Sequence, residues 1–365
     1  MSCPVRIHPF RKPENHRVPV PRWTLDMPAH IDEVYTSYIG LQQHSDSEAA
    51  EDAINQSIKA IQEWLAKPDG PAASESFTVL DVGSGAISSA VWVCYWTDKA
   101  KRNSSLEQLS LSSIHSALAI PDRLAIGMWH ESFRTTVSRL ETNYSGLDYL
   151  PGLAKLPEAG TVEHTLSAYW GAARDRIPDS GHDLFPRATK SQRPNVLPES
   201  MEQHLVGTNH ANLVHIRSGQ FWENCGQQEA DSYEQKLEPT LRSGLQYLQE
   251  NASETRAMGI RYLRTADLPS NINDRGRKET CGAGFFTNLE DLENWAKTHH
   301  SHLKIYRGAL SHYKAFGDLR RFRTWHEVSV IKEGDATFEY INCTPDTGVI
   351  SSIPLQVHRP SQKLT

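Results

Sequence analysis

The chain has 365 residues and a formal net charge of −6, enough length to bury a sizeable core as one large domain or two of similar size. Its mild acidity leaves no electrostatic footprint for nucleic acid or an anionic membrane surface, and no apolar run approaches a membrane span. Its five cysteines (Cys3, Cys94, Cys225, Cys281 and Cys343) are dispersed, which suits neither a disulfide framework nor a CxxC metal site and points to a reduced, cytoplasmic protein.

Residues 1–28 read as an irregular arm. Pro4, Pro9, Pro13, Pro19, Pro21 and Pro28 oppose regular pairing, and the stretch lacks the apolar segment of a secretory signal. EVYTSYIGLQ then alternates as a strand. DSEAAEDAINQSIKAIQEWLA has helical period, with Ala53, Ile54, Ile58, Ile61 and Leu65 on one face. FTVLDVGSGAISSAVWVCYW reads as two strands around a glycine turn, followed by a helical stretch and the strand FRTTVSRLET. Residues 151–207 hold the strand HTLSAYWGAARDR and a long Pro- and Ser-rich loop, a usual place for function.

The second half echoes the first. NLVHIRSGQFW matches the first strand in place and type, a long helix spans Ser232 to Gln249, and GIRYLRTADL and ETCGAGFFTNLEDLENWAK follow. Strand, helix, strand, strand, helix, strand occurring twice predicts an α+β fold of two ferredoxin-like halves, 29–150 and 208–350, with a tail at 351–365.

TVLDVGSGAISSA looks like the first motif of S-adenosylmethionine methyltransferases, but the context fails. Ile87 stands where the last glycine belongs, and a β-branched residue tolerates positive φ badly. The strand pattern SSAVWVCYW follows where a helix is required. A Gly-Ser-Gly hairpin turn accounts for the stretch.

The histidines of THHSHLKIYRGALSHYKAFGDLRRFRTWHEVSVI pose the functional question. Thr287 as N-cap with Glu290 three residues on opens a helix, whose face runs Leu292, Trp295, His299, His302, Tyr306, Leu310. A break at THHSH would leave the histidines solvated, and a core histidine needs only one hydrogen-bond partner. The alternative is a neutral imidazole offered to a metal. In TWHEVSVI, His326 shares its face with Val328 and Val330, so it needs a partner or a task. No carboxylate or cysteine stands nearby at zinc-site spacing.

RLETNYS, YWGAARDRIP, HANLVHIRSGQFW, WAKTHHSHLKIY, WHEVSV and FEYINCTPDTG, in that order, resemble the haem-containing aldoxime dehydratases. The resemblance runs from about Trp23 to about residue 350 and implies a dimeric α+β barrel, haem b with an active ferrous state, an aldoxime substrate and a homodimer. It makes His302 the proximal iron ligand, His326 the distal catalytic histidine, Ser218 and Arg176 the holders of the substrate hydroxyl, and Glu141 the carboxylate supporting His326. The arm before Trp23 and the loop from about Asp179 to Val206 match poorly.

That chemistry suits those residues. Hydroxide leaves poorly, so the oxime oxygen must be protonated as N–O breaks, and histidine gives a proton efficiently near neutrality. Ser218 and Arg176 would position the hydroxyl, and a carboxylate near His326 favours its protonated form. A neutral nitrogen ligand leaves one iron position open. A haem sensor would need His302 but not the other four residues, and a barrel enzyme acting on peroxide would rely on a distal Arg or Asp. Arg320, Arg321 and Arg323 fit either haem propionates or a solvated turn. Leu310, Phe316, Trp325 and Tyr144 fit either a pocket for the substrate tail or the core.

Overall fold

The computed structural model describes residues 6–80, 88–188, 194, 196–266 and 277–358. In chain order it gives β1 (Trp23–Asp26), β2 (Glu33–Gln43), α1 (Glu48–Leu65), β3 (Ala73–Val79), β4 (Ser88–Trp96), α2 (Lys99–Glu107), α3 (Leu111–Ala117), α4 (Ile120–Ala125), β5 (Ile126–Thr136), β6 (Leu140–Tyr144) and β7 (Gly160–Glu163). Next come α5 (Ala172–Arg176), β8 (His204–Thr208), β9 (Leu213–Phe221), α6 (Gln227–Ser232), α7 (Glu238–Glu250), α8 (Ala252–Thr255), β10 (Ala257–Thr265) and β11 (Glu279–Phe286). The chain closes with α9 (Leu289–Thr298), α10 (His300–Phe316), β12 (Arg323–Ile331), β13 (Ala336–Ile341) and β14 (Gln356–Val357).

The strands lie in the order β14-β8-β13-β5-β2-β4-β3-β10-β11-β9-β12-β6-β1-β7, and every pairing is antiparallel. The order mirrors itself about the β3–β10 junction. In each half the first strand of the repeat, β2 or β9, lies between its third and fourth. Each half also borrows its next strand from the other end of the chain: β13 pairs with β5, and β6 pairs with β12.

The repeat reaches individual side chains. Trp129 of MWHESF and Trp325 of TWHEVS occupy the same place in β5 and β12, each opposite a glycine, Gly40 or Gly219. Each is also opposite a tyrosine on the borrowed strand, Tyr340 or Tyr144. The glycines make room for the indoles, since a Cβ would fall 1.9 Å from Trp129 and 2.2 Å from Trp325.

Period-2 alternation sends the two faces of the sheet to different tasks. One face forms a core running through both halves, with Tyr38, Trp129, Phe133, Phe285 and Trp325 buried together. Buried charges thread it, and they are paired: Arg217 to Glu75 at 2.6 Å and Arg261 to Glu131 at 2.6 Å. The other face of the first half packs against α1 to α4 through Ile39, Ile61, Trp64, Trp92 and Ile126. Ser47 caps α1 by accepting from Ala50 N. In the second half Val214, Val328 and Val330 pack under Leu245, Leu248 and Leu292. Fully burying each such side chain stabilises by about 1.5–3 kcal/mol.

Several expectations need correction. FRTTVSRLET is not one strand, because a 3-10 turn at Val137–Arg139 separates β5 from β6 and carries the chain from one half to the other. HTLSAYWGAARDR is not a strand either. Left-handed backbone at Ala168 (φ 63) and Gly171 (φ 97) breaks it before α5 begins. The N-cap of α9 is Asn288, which accepts from Glu290 N, while the Thr287 hydroxyl donates to Asp291. The helix does not run through THHSH: His299 ends α9 and caps α10, its ring accepting from Ser301 N. The arm is regular at its end, where β1 pairs with β6 and β7. The glycine turn of the methyltransferase-like motif lies outside the described residues, though its flanking strands β3 and β4 pair antiparallel. Among the described residues no helix is long and apolar enough to cross a membrane.

Candidate active site

Strand register builds the first wall of the site. His326 on β12 stands opposite Ser218 on β9 and opposite Asn143 on β6, so all three share the face that carries Val328 and Val330. Two residues before Asn143, Glu141 is on the same face. Arg176 is the last residue of α5, the short helix that starts only after the Gly171 break.

These residues meet at one point. Arg176 Nη2 donates to Glu141 Oε1 at 2.6 Å, and His326 Nε2 lies 2.8 Å from the same oxygen. Arg176 also approaches His326 Nε2 at 3.0 Å. One nitrogen cannot donate to a carboxylate and accept from a guanidinium at once, so with Glu141 ionised the proton sits on Nε2 and points to Oε1. Burial alone would push the Glu141 carboxyl up, but Arg176 and His326 outweigh it and hold its pKa at about 2. Arg176 Nη1 donates to Leu166 O at 2.5 Å, fastening the group to the loop before α5.

That loop supplies parts the sequence reading missed. His164 lies 3.0 Å from Asn143 Oδ1, and its Nδ1 accepts from Leu166 N. Burial, with Arg176 beside it, lowers its pKa to about 4, so the ring is neutral. The loop also carries the left-handed Ala168, strain of a kind that collects at working sites. The arm closes over it: His16 Nε2 meets Ser167 O at 2.7 Å, and Arg11 N donates to Asp175 at 2.8 Å. No local motif announces these long-range contacts.

The second wall is α10. His302, Tyr306, Leu310 and Tyr313 face a cleft of about 1980 Å³ that Arg176, His326 and Asn143 line from the sheet side. Ser218 belongs to the group through register rather than by lining the cleft. Of the pocket candidates, Leu310 lines the cleft, whereas Trp325 and Tyr144 are core. His299 is occupied elsewhere, its Nδ1 meeting Ser301 Oγ at 2.8 Å and its ring packing on Tyr247.

His302 fits a metalloporphyrin. Burial lowers its pKa against the raising effect of the Ala296 carbonyl, which keeps the ring neutral, the ligand form. Its Nδ1 is buried without a hydrogen-bond partner, and Trp295 packs edge-on at 4.7 Å between ring centroids. Among the described residues no three His, Cys, Asp or Glu side chains form a metal cage. A metal bound here would therefore take one protein ligand and bring its other donors itself.

One candidate iron ligand facing a proton-handling His-Arg-Glu group across a cleft suits a haem-dependent enzyme. The chain belongs to the haem-containing dehydratase family, whose model matches residues 37–349. It is 30% identical over 352 residues to an aliphatic aldoxime dehydratase of Pseudomonas chlororaphis, covering 96% of both chains. It is 28% identical over 340 residues to a phenylacetaldoxime dehydratase of Bacillus sp. strain OxB-1, covering 93% of both. The crystal structure of an aldoxime dehydratase superposes with a TM-score of 0.81 at 29% identity, over 96% of each chain. One co-crystallised with butyraldoxime gives 0.81 at 27% identity, over 96% of this chain and 94% of that one.

Proposed function

We propose that this protein dehydrates aldoximes, R–CH=N–OH, to nitriles and water with haem as cofactor. The observation that carries the reading is the convergence of Glu141, Arg176 and His326 on one point of a cleft whose other wall presents His302. Haem iron, when bound, supplies a position for the oxime nitrogen and electron density that weakens the N–O bond.

The chain's own groups handle position and protons. Ser218 Oγ and the Arg176 guanidinium hold the oxime hydroxyl beside His326. Doubly protonated His326, the form that the Glu141 carboxylate favours, gives one proton to that oxygen, which leaves as water. The imidazole, now neutral, takes the aldoxime C–H proton as the carbon–nitrogen triple bond forms. One proton is given and one regained, so the site returns to its starting state.

The fuller reading is haem b, active as ferrous iron on His302, in a cytoplasmic homodimer. The chain divides as 1–28 arm, 29–150 first half, 151–207 connection, 208–350 second half and 351–365 tail. Each half is ferredoxin-like and the two close into a barrel. The mirrored strand order and the approach of β5 to β12 support this.

The test is to purify the protein with haem, reduce it with dithionite, and add (Z)-phenylacetaldoxime or butyraldoxime. A Soret shift followed by nitrile, with His326→Ala keeping the haem and losing turnover, is the expected result. A chain that takes up no haem, or yields no nitrile from either oxime, would overturn the reading.

A further inference from the structure

The cleft holds positive charge that the chain does not neutralise. Most of its arginines are spoken for. Arg174 is clamped by Glu293, Arg187 by Asp291, Arg11 by Glu293 and Arg323 by Asp148, at 2.5–3.1 Å. Arg22 and Arg320 are different. The Arg320 guanidinium lies 3.6 Å from the centroid of Tyr313, and Arg22 lies 5.5 Å from the same ring. Arg320 Nη1 donates to Phe322 O at 2.9 Å, while its Nε is buried with no partner. Arg22 donates to Pro21 O at 3.0 Å.

Among the described residues neither makes an ion pair. Glu229 lies within electrostatic range of Arg320, but its oxygens accept from Arg321 N and Phe322 N at 2.9–3.0 Å. Asp318 lines the cleft without pairing to either arginine. Two guanidinium groups gathered on one ring, partly desolvated and without a counter-anion, are costly to the empty protein. Burial, with Arg22 and Arg323 adding to it, holds the Arg320 pKa below its usual value.

The chemistry around the pair identifies the missing anion. His302, Tyr306, Leu310 and Tyr313 run along one face of α10, and Tyr306 and Leu310 are 40% and 43% exposed to the cleft side. Opposite them Trp170 is 43% exposed. At about 1.5 Å per residue, His302 to Tyr313 spans roughly 16 Å along the helix. A flat apolar ring held at His302 would lie along this wall with its acidic edge turned toward the Tyr313 end. Its carboxylates fall short of that whole span, so the long arginine side chains gathered on Tyr313 would reach back to meet them.

We propose that Arg22 and Arg320, gathered on Tyr313, receive the propionate carboxylates of haem. The inference rests on the haem reading above and extends it to residues on the arm and on the turn after α10. Of the basic turn, Arg320 does this alone: Arg321 is exposed and Arg323 is held by Asp148. Arg22, which no local motif marks, completes the pair.

The test compares haem with its dimethyl ester, which keeps the ring and iron but has no carboxylates. Holoproteins of the parent chain, Arg320→Gln and Arg22→Gln are mixed with excess apomyoglobin, and cofactor loss is followed in the Soret band. The parent should lose the ester at least about tenfold faster than haem, as expected for a lost charge-assisted hydrogen bond. Either variant should lose haem about tenfold faster than the parent and lose the ester at the parent's rate. Haem-free Arg320→Gln should melt no lower than the haem-free parent, because it sheds an unpaired charge. Equal retention of haem and ester by the parent would overturn the proposal while leaving the haem reading intact, as would variants that lose both forms equally fast. Protection of the haem-free parent by inorganic phosphate, with haem retention indifferent to Arg320, would mark a separate anion site and also overturn it. Failure of both cofactor forms to bind would overturn the haem reading and this inference with it.

Discussion

Replacing Glu141 by glutamine asks whether charge organises the site. Glu141 is 1% exposed. Burial would raise its pKa, yet Arg176 at 2.6 Å and His326 at 2.8 Å bring it from 4.5 to about 2. At about 1.36 kcal/mol for each tenfold change in acidity, that difference gives the folded state about 3 kcal/mol. The folded pKa lies below the unfolded one, so this stabilisation is complete above about pH 5 and fades as pH falls from 4.5 toward 2. Glutamine keeps the shape but leaves the Arg176 guanidinium buried without its anion, and breaking one side of such a pair costs about 3–5 kcal/mol. The two figures agree. Urea unfolding of the haem-free chains, followed by circular dichroism at about pH 7, 5 and 3, measures the effect. The variant should be less stable by the same amount at the two higher pH values, and the gap should shrink at the lowest. A gap of constant size would refute the electrostatic account and make the loss one of hydrogen-bond shape alone.

Arg176→Lys should lower kcat by about 100-fold or more, because one ammonium cannot serve Glu141 and Leu166 O together. Nitrile formation by a variant with a parent-like haem spectrum checks it. His302→Ala should abolish the haem spectrum and leave the far-ultraviolet dichroism unchanged. His299→Ala should keep the haem, since that ring caps α10 and packs on Tyr247 outside the cleft. Gly40→Ala and Gly219→Ala press equally on Trp129 and Trp325, and each should cost about 1–3 kcal/mol in urea unfolding. Only Gly219→Ala should also depress kcat in the remaining folded enzyme, because Gly219 adjoins Ser218 and faces the strand of His326.

Much of the sheet was legible because short runs rich in β-branched and aromatic residues read as strands even where both faces are buried, and β2, β9, β10, β11 and β12 all stand where their patterns predict. Legibility failed where long-range contacts overrule local pattern. FRTTVSRLET has no Gly or Pro to announce its turn, and the turn is held by Asp32 O accepting from Val137 N and by Arg139 donating to Val330 O. The site fails the same way from sequence alone. Glu141 is 35 residues from Arg176 and 185 from His326, and only strand register and the loop before α5 join them. The family resemblance, not periodicity, named those residues. Arg22 escaped because an arm rich in proline shows no pattern at all.

The tripeptide Trp-His-Glu shows why local motif and function part company. It occurs in the fourth strand of both halves, with the same glycine and tyrosine opposite its Trp. Yet His130 is only a partly buried histidine: desolvation pushes its pKa to about 4, and its Nε2 is buried without a partner. The difference lies on the borrowed strands. Opposite His326, β6 presents Asn143 with Glu141 two residues away. At the same positions β13 presents Glu339, held by His204 at 2.8 Å, and Thr337. The duplicated scaffold places an imidazole identically in both halves. Thr337 in place of Glu141 leaves the first without the anion that gathers Arg176 to the second. What the exchanged strands and the loop before α5 bring to the repeated frame differs between its two ends, which is why the repeat could point to the mirrored strand order but not to the histidine that meets Glu141 and Arg176.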